Sequence, residues 1–402
     1  MPADTAPRPA VLGAPRRDTR ILLLALGTFA LGTDVFVIAG ILRLIAAGLA
    51  VSTEAAGQLA TVYALTYAMG SPLLAAATAR WRRERLVVLA LGGFATADAI
   101  CALAPTYGVL LAARILAGAS GALFSPTAYS MAAALAPPER RGATLATVAL
   151  GMTIATVFGA PLGTWIGHAF GWRASFLLGA LFSAVAATAL AMASGAPTPL
   201  TAVPRLAERF SPLARPEVLL SLVANWLWSA GNYTIYNYSA VIFGSRLHLD
   251  NIMWLLACYG VGGVAGSQLG GRFVDRFGTV APIILCVGIN AANLTLLNIT
   301  AATAWGAGAV LFILAFAGWA VFPAQQTRLL QLEPAHGGLV LSLISSSIYI
   351  GSATGAALGG LLLARFPPAA PAYVAGAITV SGLLVFIASL VAARRKHRSM
   401  RR

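Results

Sequence analysis

The sequence predicts an all-α membrane protein, with twelve transmembrane helices in two repeated bundles of six. Three observations lead there: a very apolar composition, twelve apolar runs separated by short gaps, and a repeat at a fixed offset. Of 402 residues, 59% are hydrophobic and only 10% are charged, against about 25% charged in an ordinary soluble chain. A run of about 20 apolar residues suffices to cross a bilayer as a helix. Twelve runs of roughly that length or longer follow one another here.

Taken in order, a polar, Pro- and Arg-rich tail covers 1–20. It has no apolar core of its own, so it does not read as a signal peptide. Apolar runs then fall at about 21–49, 54–78, 86–104, 107–134, 144–167 and 174–195, making a first bundle over 21–195. A polar linker at 196–216 follows. Six more runs, at about 217–243, 250–272, 280–300, 304–332, 337–364 and 371–393, make a second bundle over 217–393. A basic tail closes the chain at 394–402.

The 27 basic and 12 acidic residues give a net charge of +15. Such a balance can mark a nucleic-acid binder, but here the arginines occupy the gaps between apolar runs. Arg80, Arg82, Arg83, Arg85, Arg140, Arg141, Arg205, Arg209, Arg215, Arg272 and Arg276 fall in alternate connections, whereas the others hold Arg173, Arg246 and Arg365. By the positive-inside rule the arginine-rich side faces the cytoplasm, and an even number of spans puts both termini there. Nucleic acid is therefore not an expected partner, and the lipid bilayer is. Cys101, Cys258 and Cys286 all sit in apolar runs without metal or disulfide spacing. Enzyme signatures such as G-x-S-x-G, H-E-x-x-H and a phosphate-binding loop are absent from the sequence. No cofactor is expected, and energy would have to come from an ion or substrate gradient.

Adding 196 to residue numbers of the first bundle aligns three separate regions. Gly70-Ser71 falls on Gly266-Ser267, Arg80 on Arg276, Pro138 on Pro334, Gly142 on Gly338, and Gly159-Ala160 on Gly355-Ala356. Parallel halves of this kind are one plan of secondary transporters, with the substrate site near mid-membrane between them.

The acid Asp34 stands inside the first apolar run, in Gly32-Thr33-Asp34-Val35-Phe36-Val37-Ile38-Ala39-Gly40. An intramembrane carboxylate costs about 2.5–3.5 kcal/mol on insertion scales and is a functional candidate by default. It could also simply pair with Arg43 or Arg114. Arg114, in the fourth run, is a buried cation that needs a partner of its own. Asp98 is a second intramembrane acid, ranked below Asp34 because it falls in the outer half of a span expected to be peripheral. Candidate substrate-binding residues are Asp34 itself, Tyr63 and Tyr67, Asn225, Asn232 and Tyr236 of an aromatic and amide-rich seventh run, Gln325, and Tyr349. Flat rings with polar tips suit amphipathic ligands, although helix packing would also explain each one singly.

Several stretches resemble the major facilitator superfamily. Gly266 through Gly278, with Asp275 and Arg276, is similar to its loop signature G-x-x-x-D-R-x-G-x-R/K. The first-half equivalent, from Gly70 to Arg80 and Arg83, departs from it, with Ala79 where the acid belongs and Glu84 as a substitute candidate. Arg114-Ile115-Leu116-Ala117-Gly118 looks like the family's R-x-x-x-G motif, which the resemblance associates with proton transfer. Gly151, Gly159, Pro161 and Gly163 resemble the antiporter motif, with Ala160 and Thr164 replacing two glycines; as a bare feature they could be a packing kink. The stretch around Asp34, together with Gly171-Trp172-Arg173, is similar to twelve-span drug:proton antiporters, including chloramphenicol-resistance and sugar-efflux transporters. The resemblance implies export of small amphipathic compounds in exchange for protons, with Asp34 and Arg114 as the coupling pair, by a monomeric carrier. Export of a sugar, nucleoside or other metabolite is the alternative within the fold, and a membrane sensor or scaffold the alternative outside it.

Overall fold

The computed structural model describes residues 19–78, 80–137, 140–193, 212–333 and 337–399. The expected tails at 1–20 and 394–402 and the linker at 196–216 lie wholly or partly outside the described residues, as do Ala79, Pro138 and Pro334.

Thirteen helices account for the described chain: α1 (Thr19–Gly48), α2 (Thr53–Ala77), α3 (Arg83–Leu103), α4 (Tyr107–Leu135), α5 (Arg141–Phe170), α6 (Trp172–Met192), α7 (Pro216–Tyr236), α8 (Ser239–Leu247), α9 (Met253–Phe277), α10 (Val280–Thr300), α11 (Ala304–Leu332), α12 (Gly337–Arg365) and α13 (Ala370–Ser399). Only Asn237 and Tyr238 separate α7 from α8, so the two form one broken rod and the count of rods is twelve. Nine of the helices are long and apolar enough to cross a membrane by length and composition. The rods that fall short are α2, α9 and the broken α7–α8. These carry Gln58, Asn225, Asn232 and Asp275, and each packs against the opposite half, so they need less lipid-facing surface.

The repeat governs the packing as well as the order of the rods. Helix α4 starts at the N-cap Thr106 and contains Pro126, and α11 starts at the N-cap Thr303 and contains Pro323. Each cap hydroxyl accepts from an amide three residues on, Val109 N at 3.5 Å and Gly306 N at 3.1 Å. On α9, Gly262, Gly266 and Gly270 lie directly on the backbone of Phe312, Phe316 and Ala320 of α11, a close approach that a Cβ would block. In the first half, Gly118 of α4 lies on Tyr63 and Thr66 of α2 in the same way, and Gly70 of α2 meets Ala122. Gly278, just past α9, has φ 72°, a conformation that glycine adopts without strain.

The two halves meet unevenly. One apolar cluster crosses between them toward the α1–α2 turn, joining Phe36, Ile41 and Leu59 to Ile235, Tyr236, Phe243, Leu255 and Tyr259. Toward the ends where α1 begins and α13 finishes, each half has clusters of its own. The molecule is thus sealed at one end, where α1 meets α8, and the contacts of α2 with α12 and of α5 with α9 continue to mid-depth.

Candidate functional site

Asp34 lies midway along α1, and Arg114 reaches it from α4. The guanidinium Nη1 stands 2.7 Å from both carboxylate oxygens, and both side chains are only 1% exposed. Of the two partners open to Asp34, it is therefore Arg114 that it takes. Arg43 instead reaches across the halves to the carbonyl of Leu249, at 3.5 Å. Tyr63 of α2 places its ring under the guanidinium, 4.6 Å from centre to carbon, and Phe176 of α6 flanks it at 5.9 Å. A cation held by a carboxylate and two ring faces needs little water to be stable.

The antiporter-motif residues hold α1 in place around this pair. Gly151 abuts the Ala25 carbonyl, Gly159 meets Thr33, and Gly163 meets Val37. Between them, residues Ala155–Gly159 form a π-turn just before Pro161, which has no amide hydrogen to donate. The opposite side of this π-turn touches the other half, where Gly260 of α9 lies on the backbone of Thr156 and Val157. One short stretch of α5 thus contacts both the helix bearing the acid and the second bundle.

Asp98 is where the sequence reading and the structure part most clearly. Its helix is not remote from the pair: the side chain is fully buried and faces both Asp34 and Arg114. Asp98 lies five residues before the end of α3, and Arg114 seven residues into α4. At 1.5 Å per residue the two stand at nearly equal depth across the intervening turn. That count was available in the sequence.

The expected substrate residues divide into groups. Tyr67 and Tyr349 stack across the two halves, with ring centroids 3.6 Å apart and planes 20° off parallel. Tyr236 belongs to the sealed end, donating from its hydroxyl to the Phe36 carbonyl at 2.9 Å and packing on Tyr259 at 4.4 Å. Asn225 is buried within the second half and donates to Ser347 at 2.7 Å. Asn232 is half-buried and donates to the Trp228 carbonyl of its own helix. Gln325 is buried, with its side-chain oxygen unpartnered. Asp34, expected to touch substrate, is buried within the first half, where Arg114 pairs with it and Asp98 faces it.

The charged residues of the loop motif lie at or just beyond the ends of their helices, and Gly70 and Gly266 lie within α2 and α9. Asp275, Arg276 and Gly278 are exposed, and among the described residues Asp275 has no ion-pair partner. Arg80 is exposed, Arg83 half-buried, and Glu84 sits 3.8 Å from Arg82.

Twelve rods in two repeated halves, sealed at one end and holding a buried ion pair at mid-depth, define a polytopic membrane carrier. The model of the Major Facilitator Superfamily matches residues 24–336 and 249–401. The chain belongs to that superfamily, and it is a transporter rather than an enzyme. It is 30% identical to the inner membrane transport protein YdhP of Escherichia coli strain K12, over 92% of this chain and 95% of the relative. It is also 30% identical to a chloramphenicol resistance protein of Streptomyces lividans, again over 92% of this chain and 95% of that one. Among solved structures, a point mutant of the peptide transporter POT, in complex with sulfate, superposes with a TM-score of 0.78 at 14% identity, covering 97% of this chain and 96% of that one.

Proposed function

We propose that this protein exports small amphipathic compounds, chloramphenicol-like molecules among them, from a bacterial cell in exchange for protons. It would sit in the inner membrane as a monomer with both termini in the cytoplasm. The observation that carries this reading is the enclosed Asp34–Arg114 pair. A carboxylate inside a membrane protein that accepts from a single arginine can be neutralised by one proton. Neutralising it leaves Arg114 without its counter-charge, which is costly in a buried site. The protonated and ionised forms therefore favour different arrangements of α1 and α4, and a proton can bias the carrier between its two faces. The Gly151–Gly163 stretch of α5, in contact with α1 on one side and α9 on the other, would pass that change to the second half. The Tyr67–Tyr349 stack, with Asn232 and Gln325, would supply aromatic faces and hydrogen bonds for a flat ligand between the halves. Asp275 and the altered first-half loop would bias which end closes.

The likeness to a chloramphenicol resistance protein supports the substrate class. The unpartnered oxygen of Gln325 favours a second reading, a hydroxyl-rich substrate such as a sugar or nucleoside. Expression in a pump-deficient host, with a drug panel that includes chloramphenicol, tests the two together. Asp34→Asn is expected to insert and accumulate normally but to lose resistance and drug-driven proton release from everted vesicles. Undiminished proton release in that variant would sink the coupling role of Asp34.

A further inference from the structure

Three ionisable groups, not two, are enclosed between α1, α3 and α4. Asp34 and Arg114 satisfy each other. Asp98 stands beside them fully buried, its carboxyl within hydrogen-bond reach of Asp34 and with no N–H or hydroxyl donor on either oxygen. The groups that face it are Asp34 from α1, Arg114 from α4, Tyr63 from α2, and Cys101 one turn along its own helix. From α6 it is met by Gly179, which has no side chain; a Cβ there would stand 2.5 Å from Asp98 Oδ2.

Charge counting decides what this cluster must contain. Two carboxylates and one guanidinium leave one negative charge in excess, and an uncompensated charge in an apolar interior is among the costliest things a fold can hold. One proton makes the group neutral. Asp34 accepts from Arg114 with both of its oxygens, and a charged donor stabilises the ionised form. Asp98 accepts from nothing, so the proton belongs on Asp98.

The second half shows that the frame itself requires no acid. At an offset of 197, Gly376 of α13 stands where Gly179 stands, and Thr295 of α10 where Asp98 stands; Gly376 lies against Thr295 just as Gly179 lies against Asp98. Thr295 satisfies its hydroxyl on the Ala291 carbonyl of its own helix, at 2.8 Å. The matching glycine contact is therefore made in one half by an exposed, self-satisfied threonine and in the other by a fully buried carboxyl.

We propose that Asp98 is a second proton-binding acid of this carrier, holding a proton while Asp34 stays ionised against Arg114. The proton can pass from Asp98 to Asp34. The O–H bond then breaks on one carboxyl and forms on the other, and the Asp98 carboxylate replaces Asp34 as the partner of Arg114. The group stays neutral throughout, so the helices can rearrange without burying a net charge. This deepens the reading of the chain as a proton-coupled exporter and rests on it for its purpose, though not for its test.

Infrared spectroscopy of the purified full-length protein in lipid detects a protonated carboxyl directly. At neutral pH, the wild type is expected to show a carboxylic C=O band that Asp98→Asn abolishes. Because asparagine reproduces the shape and neutrality of a protonated aspartate, that variant is expected to keep the wild-type melting temperature. A large drop in melting temperature would mean that Asp98 is charged in the folded protein, and would overturn the proposal. A band that survives in Asp98→Asn, or its absence from the wild type, would overturn it too. The charge-balanced double variants assign the proton. Asp34→Asn with Arg114→Gln is expected to keep the band at its wild-type position. A band at that position only in Asp98→Asn with Arg114→Gln would place the proton on Asp34 instead and overturn the assignment. Proteoliposomes loaded with chloramphenicol complete the set, with Asp98→Asn expected to lose the acceleration of transport by a pH gradient. If the wild type moves no chloramphenicol under any gradient, the export reading falls, while the infrared result still decides the state of Asp98.

Discussion

The two halves of this molecule share one frame and differ in what the frame holds at mid-depth. Asp34, Asp98 and Arg114 of the first half correspond to Ala230, Thr295 and Leu311 of the second, at offsets of 196 for the first and 197 for the others. Ala230 and Leu311 are as buried as the charges they replace. The helix caps, the helix prolines and the glycine contacts recur in both halves. The fold therefore needs the small residues and the caps, and it is complete without the charges. What the first half carries beyond the second is the strongest indication of where the carrier does its chemistry.

The contrast breaks hardest at Arg114. Arg114→Leu installs the second-half residue and leaves two acids without their cation, at an expected cost of about 3–5 kcal/mol, the range for removing one member of a buried ion pair. Adding Asp34→Ala, which completes the second-half pattern, is expected to restore most of that loss in a denaturant or thermal melt in detergent. Additive losses in the double variant would show that the two side chains do not act as a pair. Next come the paired glycines. Gly179→Ala and Gly376→Ala both overfill a tight helix contact and should each cost about 1–3 kcal/mol. Only Gly179→Ala presses on an acid, so only it should shift the pH dependence of transport; equal shifts from both would erase the distinction between the halves. A smaller effect belongs to the seam. Tyr349→Ala removes the stack on Tyr67, worth about 0.5–1.5 kcal/mol, and should speed hydrogen exchange along α2 and α12 near mid-depth. The smallest effect tests the symmetry of the frame. Thr106→Ala and Thr303→Ala each remove an N-cap, at about 0.5–1 kcal/mol, with Thr303 the costlier because its bond is the shorter, 3.1 Å against 3.5 Å.

Much of this was legible in the sequence, because lipid makes helix length and apolar content nearly obligatory together. The twelve runs became twelve rods with ends shifted by a few residues, and the repeat proved to order the packing. Asp34 and Arg114 were found as charges in the wrong solvent. What stayed hidden depends on contacts between distant segments. The break at Asn237 and Tyr238 has no proline or glycine to announce it, and the π-turn at Ala155 is hinted at only by Pro161. Nothing local distinguishes Tyr236, which seals the halves together, from Tyr349, which stacks at mid-depth. The nearness of Asp98 to Arg114 stayed hidden for a different reason: Asp98 was placed in the outer half of a peripheral span without being set against Arg114, whereas counting from the α3–α4 turn puts the two nearly level.

The sealed end has a consequence of its own. Tyr238, at the break between α7 and α8, is fully buried, with its ring against Gly57 of α2 and Gly359 and Gly360 of α12, and its hydroxyl donates to the Ala356 carbonyl at 2.8 Å. Two helices, one from each half, close on one side chain, in a groove lined by glycines. Those helices can part only once the ring has left the groove, whatever the charges at mid-depth have done. Proton and cargo would then set the direction of each cycle, while the withdrawal of this one ring would weigh on its tempo and on how steeply that tempo rises with temperature.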